Sequence, residues 1–217
     1  APTDLREHAL YRLGLCEHRL GRHEDAAETL DAFIDAFPDS DLAPSAQLLC
    51  GESLYRLGRH GAAAERLERA ASSAQDDASR ARALLRLGEC FAALQRWARS
   101  EEAFAQRLSE FTDDDLWFQA QFGVGWAREN QQRHDEAIEA YREVVARHDG
   151  PTAARAQFQI GECLFAMNRL DEAVRELLKV DILYAYPQWS AAALYEAGRC
   201  FEAKGDPGAA RAHFEQV

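Results

Sequence analysis

Residues 9–30 read ALYRLGLCEHRLGRHEDAAETL, and they carry the pattern of two short helices joined by a tight turn. Apolar residues up to Leu20 recur at helical rather than alternating spacing. Gly21 interrupts the first helix, and the acidic pair Glu24-Asp25 opens the second, where anions suit the positive end of the helix dipole. The stretch therefore predicts a helical hairpin, one face of which a neighbour must cover.

The same pattern returns along the chain at a spacing of 36 or 37 residues. It is marked by six anchor glycines, which are Gly14, Gly51, Gly88, Gly125, Gly161 and Gly198. A small residue stands twelve positions after each glycine, and a bulky one stands sixteen positions after it. Small residues let two helices approach, bulky ones fill the gap, and only the next hairpin can cover the remaining apolar face. The chain is therefore predicted to be a stack of hairpins.

The period sets the repeat boundaries. They are expected at about residues 7–43, 44–80, 81–117, 118–153, 154–190 and 191–217. Pro44, Pro151 and Pro187 stand where first helices should start, which is a position that tolerates proline. The last repeat is incomplete, and residues 1–217 are expected to form a single array. Since the chain begins at Ala1 without methionine and stops inside a predicted helix, we expect it to be an excerpt of a longer protein.

Composition narrows the class of partner. The formal net charge is −12, which argues against a nucleic-acid surface because phosphates require a basic one. No apolar run reaches the roughly 18 residues that a membrane-spanning helix needs. Direct membrane insertion is therefore not expected, and an acidic chain favours basic protein partners.

These repeats resemble the tetratricopeptide repeat. The resemblance in the first repeat rests on Leu13-Gly14, Gly21, Ala26, Leu30 and Pro38. It implies an all-α fold, a right-handed α-solenoid of six stacked helix–turn–helix repeats, acting in bacteria as a scaffold for other proteins. The phrase from Phe33 to Pro44 is also similar to repeats of the Tol–Pal periplasmic scaffold and of the outer-membrane assembly lipoprotein.

The resemblance also implies that the first helices of the repeats line a concave groove. Carried over to this chain, the groove is aromatic and acidic. Its residues are Tyr11, Glu52, Tyr55, Glu89, Phe122, Trp126, Glu129, Phe158, Glu162 and Phe165. Such a surface suits a protein or peptide segment with apolar anchors beside Lys or Arg. The alternative is that the aromatic row three residues before the glycines is core between hairpins.

A second stripe consists of arginines eight residues after the anchor glycines. It comprises Arg22, Arg59, Arg96, Arg133 and Arg169, all in the predicted turns. One interpretation is local chemistry, in which a cation sits near the carbonyl end of a helix. The other is a secondary binding edge for an acidic partner or a phosphate.

The cysteines and histidines follow the repeat rather than any catalytic pattern. Cys16, Cys90, Cys163 and Cys200 are copies of one position, too far apart for the roughly 7 Å between Cα atoms that a disulfide allows. The sequence therefore predicts no metal site, no cofactor and no catalytic residues.

Three functions remain open at this stage. The first is a protein–protein interaction scaffold that holds a partner segment in the groove. The second is a self-assembly module that stacks end to end, and the third is a regulatory arm of an enzyme outside this stretch. The compartment is also open, because free thiols favour the cytoplasm whereas the narrower resemblance favours the cell envelope.

Overall fold

The computed structural model describes residues 2–112, 115–184 and 186–217, which form twelve α-helices and no strand. The helices are α1 Pro2–Arg19, α2 His23–Ala36, α3 Ala43–Arg56, α4 His60–Ser73, α5 Asp77–Ala93, α6 Trp97–Glu110, α7 Trp117–Asn130, α8 His134–Arg147, α9 Pro151–Ala166, α10 Leu170–Tyr184, α11 Pro187–Ala203 and α12 Pro207–Phe214. Within the described residues, no helix is both long and apolar enough to cross a bilayer. The predicted all-α class is confirmed.

The helices belong to two compact units, Ala1–Thr112 with α1–α6 and Asp113–Val217 with α7–α12. In each unit, an odd-numbered helix pairs with the next even-numbered one, and each hairpin packs on its successor through the second helix. Each unit has its own apolar core. The stacking of hairpins follows the predicted pattern, and their union into a single array stays a prediction.

The anchor glycines are the points of closest approach within each hairpin. A Cβ atom built on Gly51 would lie 2.7 Å from Cγ of Leu67, and one on Gly161 would lie 2.5 Å from Cγ of Leu177. Both leucines are fully buried. The bulky residue sixteen positions later therefore occupies the space that a side chain on the glycine would need.

The turn inside each hairpin uses a left-handed residue seven positions after the anchor glycine. Gly21, Gly58 and Gly205 have φ between +74° and +76°, and the same position elsewhere holds Gln95, Gln132 and Asn168 at φ between +57° and +61°. This conformation ends a helix in the Schellman manner. The next residue then donates its backbone N–H to the carbonyl five positions back, and the second helix starts one residue later.

Candidate functional site

The first helices of the hairpins form one face of each unit, which we call the inner surface. In the first unit α1 contacts α3 and α3 contacts α5, and in the second α7 contacts α9 and α9 contacts α11. Successive second helices make no such contacts within the described part of the chain. Successive first helices therefore pack against one another within each unit. All ten predicted groove residues belong to these first helices.

The row three residues before the anchor glycines packs largely into the core. Phe122 is 8 % exposed, with its ring 5.2 Å from that of the buried Tyr141. Tyr11 is half-buried and packs on the ring of Phe33 at 5.8 Å. Phe158 is also half-buried, with its ring centre 5.7 Å from that of Trp189. These three predicted groove residues mainly join helices, and only their outer edges reach the inner surface.

Each aromatic ring further along the predicted groove lies under an arginine from the following repeat. The guanidinium of Arg86 lies 4.6 Å from the ring centre of Tyr55, and that of Arg199 lies 5.0 Å from Phe165. Arg155 lies 5.3 Å from Trp126, and it also approaches Phe122 at 4.5 Å. Such contacts are favourable because the ring face carries partial negative charge. The inner surface is therefore aromatic, acidic and basic at once.

In the first unit the predicted carboxylates are matched by arginines. Glu52 is buried and accepts two hydrogen bonds from the guanidinium of Arg82, with the Nε–Oε1 distance at 2.5 Å. Glu89 accepts a hydrogen bond from Arg86. Burial raises the pKa of Glu89, and the charge of Arg86 opposes that shift. Each carboxylate thus has its own cation.

In the second unit three carboxylates converge with fewer cations. Glu129 accepts hydrogen bonds from neutral groups, the hydroxyl of Tyr141 at 2.7 Å and the amide of Gln159 at 3.0 Å. Glu196 accepts from Arg199 at 2.7 Å. Oε1 of Glu162 is buried, and no group among the described residues donates a hydrogen bond to it. Its pKa is raised to about 7 by burial first, and then by the charges of Glu196 and Glu129.

The predicted arginine stripe lies in the turns, as expected, but acidic side chains accompany it. Arg22 pairs with Asp25 at 2.6 Å, and the same i to i+3 pairing recurs for Arg133 with Glu136 and for Arg169 with Glu172. Arg59 instead reaches back to Glu24 of the preceding repeat at 2.9 Å. Arg96 is exposed and forms no ion pair with the described residues. The stripe is a ladder of alternating charge rather than a bare cationic edge, and its use by a partner stays a prediction.

The cysteines divide into one exposed and four buried thiols. Cys16 is exposed, whereas Cys50, Cys90, Cys163 and Cys200 are buried, and none is in a disulfide. Burial raises the pKa of Cys90 to about 12 and that of Cys200 to about 11. Such thiols are poor nucleophiles. Within the described residues, no group of three or more histidine, cysteine or carboxylate side chains could hold a metal ion.

Two further sets of residues reach the inner surface and are not among the ten predicted groove residues. Arg82 and Arg155 occupy the position six residues before an anchor glycine, so the repeat rows contained the signal that could have found them. Trp189 and Glu196 are different, because they reach the inner surface from positions at which the other repeats carry unrelated residues. No periodic signal marks these two residues.

Family comparisons cover most of the chain. One family model described as Tetratricopeptide repeat matches residues 48–115 and 122–188, and a second with the same description matches residues 8–40 and 192–217. No curated protein sequence matches the chain. The narrower similarity to cell-envelope repeats stays a prediction.

Solved structures with the same fold include MamA and a repeat protein related to kinesin light chain. A MamA crystal structure is 21 % identical over 82 % of this chain and 91 % of its own, with a TM-score of 0.71. MamA AMB-1 is 22 % identical over 83 % and 92 %, with a TM-score of 0.68. The TPR-like repeats of a kinesin light chain from Podosopora anserina are 18 % identical over 84 % and 95 %, with a TM-score of 0.64. At these identities the likeness concerns the fold alone.

Proposed function

The chain belongs to the tetratricopeptide repeat family, and on that premise we propose that it holds a segment of a partner protein on the inner surface of its repeats. Repeats of this family are typically non-catalytic modules for protein–protein interaction, so the chain is a protein-interaction scaffold. The choice of surface and the chemistry of the segment are our proposal, because a fold by itself does not define them.

The observation that carries the proposal is the excess of carboxylates in the second unit. Glu129, Glu162 and Glu196 lie close enough to raise the pKa of Glu162, and among the described residues only Arg199 forms an ion pair with any of them. A lysine or arginine from a partner would supply the missing cation and a donor for Oε1 of Glu162. Charge-assisted hydrogen bonds of this kind are among the stronger ones in proteins.

The neighbouring aromatic rings supply the apolar half of the site. Trp126 and Phe165 are half-buried, so part of each ring remains open beside the carboxylates. An aliphatic side chain of the partner would pack against these partly exposed rings. The segment that fits best therefore carries Lys or Arg next to an apolar residue, and such anchors commonly dominate binding energy.

A peptide-display selection tests this without knowledge of the natural partner. The parent chain should enrich peptides in which Lys or Arg neighbours an apolar residue. The variant Glu162→Gln/Glu196→Gln should lose that enrichment, because it removes the charges and keeps the side-chain shapes. The matched control Glu139→Gln/Glu143→Gln changes two exposed carboxylates on the second helix α8 and should behave like the parent.

Circular dichroism must show that all three proteins are folded. If the double variant enriches the same basic peptides as the parent, the carboxylates do not select them and the proposal fails. A Trp126→Ala/Phe165→Ala variant tests the apolar half. It should keep the preference for Lys and Arg and lose the preference for the apolar neighbour.

A second candidate function is self-association, which is favoured by the open face of α1. Leu13 and Leu20 are 50 % and 72 % exposed, and Cys16 lies between them on the same face. In the other five repeats, the counterparts of Leu13 are at most 6 % exposed. Those counterparts are Cys50, Leu87, Val124, Ile160 and Ala197. The α1 face therefore has the composition of a buried interface.

The fitting occupant is α1 of a second copy. Among the described helices, α12 presents Arg211 and Glu215 at the positions that would have to cover this face, so stacking of α12 on α1 would bury charge. Light scattering at increasing concentration should show a dimer, and mild oxidation should link Cys16 to Cys16 of the second copy. Leu13→Glu should abolish both the dimer and the crosslink. The control Ile182→Glu, which changes another exposed apolar residue, should abolish neither of them. A monomer at every concentration contradicts this candidate.

A further inference from the structure

The inner surface of the first unit contains a basic depression that the carboxylate-based proposal does not use. It has a volume of about 530 Å³ and is lined by Leu15, His18, Arg19, Leu49, Arg56 and Arg82. Pockets that bind ligands in proteins commonly fall between about 300 and 1,000 Å³. The depression is therefore large enough for a side chain and the groups next to it.

Two of the three arginines in this depression lack a direct ion pair with the described residues. Arg19 and Arg56 are exposed, and neither forms an ion pair or a side-chain hydrogen bond with the described residues. Arg82 is paired with Glu52, but its guanidinium has five N–H donors and uses two of them there. The charge of Arg56 also acts on Glu89, but that carboxylate is already paired with Arg86, so the depression keeps an excess of positive charge in a chain whose net charge is −12.

The rest of the lining consists of two histidines, Gly21 and two leucines, and His23 is the second histidine. His18 is held by Ser53 at 2.9 Å and by Glu52 at 3.6 Å. Burial lowers its pKa, the charge of Glu52 opposes that shift, and the charges of Arg82 and Arg56 add to it. Leu15 and Leu49 form an apolar floor beneath the arginines. A small inorganic anion would leave this floor uncovered.

We propose that this depression binds an acidic protein segment, in which an aliphatic side chain covers Leu15 and Leu49 while flanking carboxylates bind Arg19, Arg56 and Arg82. Guanidinium groups bind carboxylates in paired hydrogen bonds, which fixes orientation as well as charge. The two units thus take opposite charges on their inner surfaces. The site lies entirely in the first unit and does not depend on the proposed function of the second.

Fluorescence anisotropy of a labelled peptide tests the site directly. The probe is a decapeptide with a central Glu-Leu-Glu between Gly-Ser spacers, and the control peptide has Gln-Leu-Gln in the same place. The parent chain should bind the acidic probe and not the control, with an affinity that falls as salt is added, because opposite charges are screened. Arg19→Gln/Arg56→Gln should weaken binding at least tenfold.

The matched control variant is Arg6→Gln/Arg69→Gln. It removes two exposed arginines of the same unit that form no ion pair with the described residues, and it should bind the probe within twofold of the parent. Equal weakening in both variants would mean that overall charge rather than this depression attracts the probe, and would overturn the proposal. Equal binding of the Gln-Leu-Gln peptide, or no binding of the acidic probe at millimolar concentration, would overturn it as well.

Inorganic phosphate separates a segment site from a simple anion site. Phosphate and sodium chloride are compared at the same ionic strength. Phosphate should displace the acidic probe no better than sodium chloride does. If phosphate alone competes at low millimolar concentration, the apolar floor contributes nothing and the depression is a phosphate site instead. The variant Glu162→Gln/Glu196→Gln should bind the acidic probe like the parent, so this outcome is independent of the basic-peptide selection.

Discussion

Gly161→Ala adds one methyl group at the closest approach between α9 and α10. The new Cβ atom would lie 2.5 Å from both Cγ and Cδ2 of Leu177, whereas ordinary contact begins at 3.4 Å. Leu177 is fully buried, and its branch atom Cγ cannot swing away as the end of a long chain would. Either the leucine or the helix pair must therefore move by about 0.9 Å, the difference between those two distances.

The size of the effect follows from two opposed contributions. Overpacking a buried site costs about 1–3 kcal/mol, and a 0.9 Å displacement of a branch atom places this site near the upper end. Alanine in a helix gains about 1 kcal/mol over glycine. We therefore expect a net loss of about 1–2 kcal/mol in the free energy of unfolding. For a chain of this length that is a fall of about 2–8 °C in melting temperature.

Urea unfolding followed by circular dichroism measures the change, with Gly61→Ala as the control. Gly61 lies in the first turn of α4, and a Cβ there meets nothing within 4 Å, so Gly61→Ala should be neutral or stabilising. Leu177→Ala alone should cost about 2–5 kcal/mol through cavity formation. The double variant Gly161→Ala/Leu177→Ala should then be at least ~1 kcal/mol more stable than the sum of the single changes, because the clash is gone.

A Gly161→Ala protein as stable as the parent would refute this reasoning. It would mean that α9 and α10 separate at little cost, so the anchor glycine would not set their distance. Strict additivity in the double variant would show instead that the loss arises away from Leu177.

Three further predictions concern ionisation, backbone strain and thiol access. Because the folded pKa of Glu162 lies near 7, above its ordinary 4.5, stability should fall as pH rises between these values, and thermal melts of Glu162→Gln should lack that fall. Positions 132 and 58 both require positive φ, which glycine adopts more readily than glutamine. In urea titrations, Gln132→Gly should therefore raise the free energy of unfolding by roughly 1 kcal/mol, and Gly58→Gln should lower it by a similar amount. A colorimetric thiol assay should find one fast thiol, lost in Cys16→Ser, and five after denaturation.

The contact between each anchor glycine and the bulky residue sixteen positions later was predictable, because both residues belong to the same hairpin. The separation between Gly51 and Leu67 recurs in every repeat, so the same steric requirement appears six times in the sequence. The left-handed turn could be predicted from the sequence only in the repeats that have glycine at that position. Glycine reveals it at Gly58, whereas Gln95 adopts the same conformation because the helix-ending hydrogen bonds outweigh its strain.

The chemistry of the inner surface was less predictable. The positions of Trp126 and Phe165 followed from the repeat, but the pairing of each ring with an arginine of the next repeat did not. Arg155 stands six residues before its anchor glycine and Arg199 stands one residue after its own, yet both cap an aromatic ring of the preceding repeat. Long side chains reach the same place from different starting points, so no single row records the contact.

The arginine caps make the binding chemistry a property of adjacent repeats rather than of single ones. Tyr55 belongs to one repeat and Arg86 to the next. Deleting, duplicating or reordering a repeat would therefore leave an aromatic ring without its arginine, or place it beside a side chain from a different repeat. The hairpin is thus the repeating unit of the fold, while the binding chemistry that we propose lies at the junctions between hairpins. Recombination that conserves every hairpin intact can therefore still erase, or create, a specificity.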